Sequence, residues 1–240
     1  MSNLIYEIVT IKNEKAISAR IAGIGLLLMA LLAIFANFFV IESLIIPGDA
    51  TTTANNIIAN ESIFRWGIVS FIIVIILDVF VAWALYIYLN PVNKHIALLA
   101  AWFRLSFLAI WGSVIYNLLN VLQLLNGANY IKVFGTDQLH AQVMLSIDSF
   151  KIGWLVGLVF FGLHLLVIGY LVFKSGFMPR ILGIMLIIAG FGYLIDSFAH
   201  FLLSDYDDYK AIFLTIVAVP GVIAEMSFSF WLLIKGRKSK

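Results

Sequence analysis

The sequence contains no cysteine among its 240 residues. Disulfide bonds, thiolate metal sites and a cysteine nucleophile are therefore excluded. The absence of cysteine gives no information on the redox compartment. Charged residues are also scarce, at 12% of the chain against about 25% in ordinary globular domains. The formal net charge of +2 is too small to indicate a nucleic-acid partner.

Hydrophobic residues, by contrast, make up 63% of the chain and form six long runs. Each run reaches the roughly 20 residues that a membrane-spanning helix requires, and none alternates with the period of a strand. We therefore predict an all-α fold, a polytopic membrane bundle of six transmembrane helices in a single domain over residues 1–240. The predicted spans are 21–46, 63–89, 96–125, 152–173, 181–203 and 211–234.

Basic residues are distributed unequally between the two sides of this topology. The N-terminal tail, two short connectors and the C-terminal tail hold Lys12, Lys15, Arg20, Lys94, Lys174, Arg180, Lys235, Arg237, Lys238 and Lys240. The opposite side holds Arg65, Lys132, Lys151 and Lys210. Cytoplasmic loops are enriched in Lys and Arg, so the bias places both termini in the cytoplasm.

Two segments on the outer side resemble short amphipathic helices. Pro47-Gly48-Asp49 opens the first, with Asp49 as the predicted N-cap. In the second, residues 138–150, apolar side chains recur at helical spacing. This second segment either lies in the membrane interface or extends the fourth span outward.

Four ionisable residues are predicted to share one layer of the membrane: Asp78, Arg104, His164 and Glu225. At a rise of about 1.5 Å per residue they lie about 12–16 Å from the inner ends of their spans. Each is costly in hydrocarbon and should turn inward, which makes them the candidate buried polar site. Asp78 and Arg104 lie on helices joined by a short connector and are expected to pair, either to fix helix register or to serve function.

Glu225 is then a second carboxyl without a second strong base. Either His164 is its partner or Glu225 is protonated, in which case it either carries a proton or only packs helices. Pro220-Gly221 is expected to interrupt the sixth helix and free the carbonyl of Ile216.

The third span carries a polar stripe, which predicts that other spans surround it and that it lines a cavity. The stripe consists of Ser106, Ser113, Asn117 and Asn120. In the fifth span Asp196 and His200 are four residues apart, a spacing typical of a hydrogen-bonded structural pair. No metal motif, nucleophile motif or cofactor motif is present, so no metal, cofactor or catalytic residue is assigned.

Several stretches together resemble one family of membrane proteins. They are Ala19-Arg-Ile-Ala-Gly23, Pro47-Gly-Asp-Ala50, Glu61-Ser-Ile-Phe-Arg65, Leu77-Asp-Val79, Asn90-Pro-Val-Asn93, Phe103-Arg104, Gly157-Leu-Val-Phe-Phe-Gly-Leu-His164, Gly169-Tyr170, Ser175-Gly-Phe-Met-Pro-Arg180, Gly192-Tyr-Leu-Ile-Asp-Ser-Phe198 and Gly221 with Glu225. The order and spacing are similar to the bacterial membrane proteins grouped as domain of unknown function 4386. The resemblance covers roughly residues 18–235 and implies the architecture and a bacterial cell membrane, without a mechanism.

Three classes of function fit these features. The favoured hypothesis is a transporter of a small molecule or ion, coupled to protons. The alternatives are an intramembrane enzyme, with or without a metal, and a structural, sensor or immunity-type accessory protein. The lipid bilayer is the expected partner in all three classes.

The orientation can be tested with a reporter enzyme that is active only in the cytoplasm. Because ten of the fourteen basic residues counted above lie on one side, a fusion of the reporter to Lys240 should be active. A fusion within the acidic connector 204–210 serves as the opposite-side control. An expressed but inactive fusion at Lys240 would show that the orientation is reversed.

Overall fold

The computed structural model describes residues 2–127 and 133–236, and of residues 2–12 it describes only the backbone. Four basic residues used in the orientation argument, Lys132, Arg237, Lys238 and Lys240, lie outside the described residues, as does the side chain of Lys12. The orientation of the termini therefore stays a prediction.

The described residues are almost entirely helical and contain no strand. The helices are α1 (Ser2–Ile34), a π-helical segment (Phe35–Ile41), α2 (Glu42–Leu44), α3 (Ala50–Ala59), α4 (Glu61–Leu89), α5 (Lys94–Leu125), α6 (Thr136–Lys174), α7 (Arg180–Leu202) and α8 (Tyr206–Ile234). Six stretches in this part of the chain are long and apolar enough to cross a membrane: Asn13–Leu44, α4, α5, α6, α7 and α8. The predicted all-α fold with six spanning helices is confirmed.

The two outer segments differ in structure. The first is α3, and the Asp49 carboxylate caps it by accepting a hydrogen bond of 2.9 Å from the Thr52 backbone N–H, as predicted. A hydrogen bond of 2.6 Å from the Thr52 hydroxyl, together with this backbone bond, lowers the pKa of Asp49, because both bonds favour the ionised form. The second segment is continuous with the fourth span, since α6 begins at Thr136. Of the two alternatives, an outward extension of the span is therefore the observed one.

Contacts divide the chain into two compact units. The boundary between the units falls within α1, α4, α5 and α6, so each of these helices contributes residues to both units. The first comprises residues 1–27, 77–108 and 157–240, and the second comprises residues 28–76 and 109–156. All of α7 and α8 belongs to the first unit. The prediction of a single transmembrane domain over the whole chain stays a prediction.

Within the first unit, α6 and α7 approach each other at two pairs of glycines. A Cβ placed on Gly169 would lie 2.7 Å from the carbonyl oxygen of Gly183, and one on Gly183 would lie 2.6 Å from that of Gly169. Gly162 and Gly190 form the same reciprocal contact at 2.9 and 2.8 Å. Only glycine allows this backbone approach, and small residues are the usual means of helix association where lipid supplies no hydrophobic drive.

The helices α7 and α8 also meet through a glycine. A Cβ on Gly192 would lie 2.7 Å from the carbonyl oxygen of Ile216, the carbonyl that Pro220 was expected to free. The expected interruption is wrong, because α8 continues through Pro220 to Ile234. Gly192 packs directly on the Ile216 carbonyl, and Gly221, next to the proline, lies against the ring of Tyr193.

The second unit has an aromatic core. Trp111 lies edge-on to Trp154, with ring centroids 4.7 Å apart, and Phe71 and Phe150 complete the cluster. The π-helical segment belongs to this unit and packs Val40 against Gly67.

The expectation that other spans surround the third span is wrong. In the most apolar stretch of α5 33% of the residues are buried, against 56% in α6, and Trp102 and Tyr116 on α5 are exposed. The polar stripe does not require neighbours, because the helix itself satisfies part of it. Ser113 donates to the Ile110 carbonyl and Asn117 to the Val114 carbonyl, at 2.6 and 3.1 Å.

The glycine contact between α7 and α8 predicts the effect of one added methyl group. Gly192→Ala should lower the free energy of unfolding in detergent by about 1–3 kcal/mol, because the new Cβ meets a backbone carbonyl that cannot move alone. Gly112→Ala is the matched control, since its Cβ would find its nearest neighbour at 3.9 Å. Equal effects of the two substitutions on denaturant unfolding would contradict the packing argument.

Candidate functional site

Arg104 lies at the centre of a hydrogen-bonded group that joins three helices of the first unit. Its Nε donates to Asp78 Oδ1 on α4 at 2.5 Å, and its Nη1 lies 2.8 Å from His164 Nε2 on α6. The three side chains are at most 2% exposed. The predicted pairing of Asp78 with Arg104 is present, and His164 joins the pair through its contact with Arg104.

The geometry fixes the tautomer of His164. A guanidinium can only donate hydrogen bonds, so Nε2 of His164 must accept from Arg104. Its Nδ1 lies 2.8 Å from the Ala100 carbonyl oxygen, which can only accept, so Nδ1 carries the hydrogen. His164 is therefore a neutral imidazole with both nitrogens engaged, which leaves it no atom to offer Glu225.

Two polar atoms of this group are buried without a hydrogen-bond partner among the described residues. They are Asp78 Oδ2 and Arg104 Nη2. The Asp78 oxygen is a free acceptor, and the Arg104 nitrogen is a free donor. A molecule that both donates and accepts, such as water or a hydroxyl compound, would satisfy the two atoms.

Glu225 belongs to a neighbouring pair. The hydroxyl of Tyr193 on α7 donates to Glu225 Oε1 on α8 at 3.1 Å, and both side chains are half-buried. Glu225 makes no ion pair within 4 Å in the part of the chain that the structure describes. The alternative in which His164 is its partner is therefore wrong.

Phe161 lies between the two groups. Its ring stacks on the His164 ring at 6.0 Å and lies 5.6 Å from the Arg104 guanidinium carbon. The Phe161 ring also meets the Tyr193 ring edge-on, with ring centroids 5.2 Å apart. The four predicted residues thus form an Asp78–Arg104–His164 cluster and a Glu225–Tyr193 pair that share one aromatic wall, and Glu225 remains within electrostatic range of Arg104.

The secondary residues lie in other surroundings. Asp196 is buried and accepts a hydrogen bond of 2.7 Å from the Tyr206 hydroxyl, not from His200. The His200 ring packs on the Tyr206 ring at 4.5 Å. The expected bond between Asp196 and His200 is therefore wrong; both side chains hold the start of α8 against the end of α7.

Asn117 and Asn120 belong to the second unit. Asn117 is bonded to its own helix, whereas Asn120 lines an open cleft of about 490 Å³. The other residues lining this cleft are Gln123, Leu124, Phe134, Gln142, Leu145 and Ser146.

The described residues contain no group of three side chains of the His, Cys, Asp or Glu types placed to hold a metal ion. Sequence reasoning missed Tyr193, Phe161 and Tyr206. A tyrosine within an apolar span was the available signal for Tyr193, since a buried hydroxyl needs a partner. Phe161 carried no such signal, because it is one of 20 phenylalanines.

The six apolar helices and the buried ionisable groups define a multi-pass membrane protein. The family model described as "Domain of unknown function (DUF4386)" matches residues 21–236, and the chain belongs to this family. An "Uncharacterized protein" of Archaeoglobus fulgidus is 35% identical over 173 residues, which cover 72% of this chain and 85% of that protein. No solved structure matches the chain.

The Asp78–Arg104 pair predicts non-additive mutations. Asp78→Leu or Arg104→Met alone should each lower the free energy of unfolding by about 3–5 kcal/mol, because each leaves a buried charge without its counter-charge. The double replacement should cost less than the worse single one, since only His164 Nε2 then loses its partner. Denaturant unfolding of all four proteins in one detergent measures this, and additive effects would show that the two charges do not stabilise each other.

Proposed function

We propose that this protein is a proton-coupled membrane transporter of a small molecule or ion, in which Glu225 carries the proton. One observation carries the proposal: Glu225 is the carboxyl group of the buried site that has a hydrogen bond but no cation partner. An unpaired carboxylate is far more costly than the neutral acid in a low-dielectric interior. A local change in hydration or charge would therefore shift Glu225 between its two protonation states.

The Asp78–Arg104–His164 cluster acts in this proposal as a fixed scaffold. Arg104 is always charged, Asp78 supplies the opposite charge, and His164 is neutral with both nitrogens in use. Protonation of His164 would break its bond with Arg104, and protonation of Asp78 would leave the Arg104 charge without its counter-charge. The cluster holds α4, α5 and α6 in register beside Glu225, the carboxyl group that changes its protonation state.

The two groups are coupled through Phe161 and through charge. Phe161 contacts Arg104, His164 and Tyr193, so a displacement of the cluster would move the tyrosine that donates to Glu225. The charges of Arg104 and Asp78 also act on Glu225 from a distance, with opposite signs. A solute that engages the free atoms of Arg104 and Asp78 would change both the packing and the electrostatic potential at Glu225.

The accessory or structural class has one observation in its favour, the complete burial of the Asp78–Arg104–His164 cluster. In that class of protein the cluster would have a purely structural role, which is to fix the register of the three helices. The absence of a group of three metal-ligating side chains among the described residues bears only on a metal-dependent enzyme, and no observation favours the enzyme class over the other two. The protein is placed by this proposal in a bacterial cell membrane, with the lipid bilayer and a small solute as partners.

Two measurements test the role of Glu225. Infrared spectroscopy of the purified protein, titrated over pH, should show a protonated-carboxyl band that Glu225→Gln removes. Proteoliposomes containing a pH dye should report a change in internal pH with at least one solute from a panel of Na⁺, K⁺, amino acids and sugars. Glu225→Gln should abolish that change while the thermal unfolding temperature stays near that of the wild type.

Glu42→Gln is the matched control, because Glu42 is an exposed glutamate on another helix. It should leave the infrared band and the pH response unchanged. If no carboxyl band assigned to Glu225 titrates, proton carriage is ruled out. If the band titrates but no solute moves protons, the accessory class replaces the transporter class.

A further inference from the structure

The connector between α6 and α7 and the end of α8 enclose a second cleft, here called the Lys235 cleft. Its volume is about 470 Å³, within the roughly 300–1,000 Å³ range of small-molecule sites. It is lined by Gly176, Phe177, Met178, Pro179, Trp231, Ile234 and Lys235. All of these residues belong to the first unit.

The walls of the cleft are held by specific packing. Phe177 lies between two contacts: the Lys15 ammonium 4.5 Å from its ring centroid, and the Tyr88 ring edge-on at 5.6 Å. On the α8 side, a Cβ on Gly236 would lie 2.7 Å from Ala19 Cβ, so the chain after Lys235 is tightly packed on α1. The cleft is therefore a feature of the packed unit.

The cleft is positively charged and has no acidic residue in its lining. Lys235 is exposed in the cleft, and the Lys15 ammonium lies against the ring of Phe177, one of the lining residues. Neither lysine makes an ion pair in the part of the chain that the structure describes. Two uncompensated cations beside a concave surface favour an anionic ligand.

The position of the cleft favours a lipid over a soluble anion. It lies at the ends of two spanning helices, where lipid headgroups are found, and Trp231 is an amphipathic residue typical of that depth. Ile234 and Met178 give it an apolar wall next to the charge. Basic pockets between membrane helices are known to bind anionic headgroups.

We propose that the Lys235 cleft binds the phosphate headgroup of an anionic membrane lipid, with Lys235 contacting the phosphate and Ile234 contacting the acyl-glycerol part. This site is separate from the Glu225 pair and does not depend on the transporter proposal.

Native mass spectrometry of the purified protein tests the site, using phosphatidylglycerol and phosphatidylcholine in equal amounts. The wild type should retain one phosphatidylglycerol, with phosphatidylcholine lost. Lys235→Gln should weaken retention about fivefold, the factor that corresponds to about 1 kcal/mol for one basic residue near an anionic headgroup. Ile234→Trp should weaken retention without a change of charge, because the larger indole takes up part of the cleft; Ile234 is 66% exposed, so the fold tolerates it.

Lys174→Gln is the matched control, since it removes the same charge from the end of α6 without touching the cleft lining. Retention close to that of the wild type is expected. Equal losses for Lys174→Gln and Lys235→Gln, or retention unchanged in Ile234→Trp, would show diffuse attraction and overturn the site. Displacement of the lipid by millimolar glycerol phosphate would show that the cleft takes a soluble phosphate and overturn the lipid assignment.

Discussion

A guanidinium buried in a membrane protein must find acceptors, and this requirement organises the first unit. Arg104 is permanently charged and 2% exposed, so its donors need oxygen or nitrogen atoms from neighbouring helices. Asp78 on α4 and His164 on α6 supply them, and the Ala100 carbonyl fixes His164 in turn. Three helices are thereby fixed in rotation and in depth, because a shift of one helical turn would leave a charge in hydrocarbon without its partner.

The glycine contacts extend this order to the last two helices. Once His164 fixes α6, the pairs Gly169–Gly183 and Gly162–Gly190 bring α7 into backbone contact with it. Gly192 then places α7 against the Ile216 carbonyl of α8. The result is that Tyr193 reaches Phe161 on one side and Glu225 on the other. Close helix approach, and not a hydrophobic drive, thus positions the carboxyl group of the proposed mechanism.

Hydropathy predicted the six spans because a bilayer imposes length and apolarity on each one. The Asp78–Arg104 contact was predictable since a short connector joins their helices and opposite charges must meet. The start of α6 at Thr136 was not, because an amphipathic extension and an interfacial helix have the same pattern. The exposure of α5 was missed because Ser113 and Asn117 bond to carbonyls of their own helix and so need no neighbouring span. Composition does not show whether a polar side chain bonds within its helix or to another one. The contacts of Tyr193 with Phe161 and Glu225 were not predictable, because they depend on how α6, α7 and α8 pack.

Charge balance gives the two groups of the site different roles in the proposed mechanism. Asp78 and Arg104 cancel, and the tautomer of His164 shows that it contributes no charge. Glu225 is the remaining member of the predicted set, and among the described residues its side chain accepts a hydrogen bond from an uncharged hydroxyl. A change of protonation at Glu225 leaves the hydrogen bonds of Arg104 and His164 in place, and for this reason the proposed mechanism assigns the proton to Glu225. A scaffold of compensated charge beside one uncompensated carboxyl group is what a proton-coupled site requires, because the carboxyl group can change its charge while the helices keep their register.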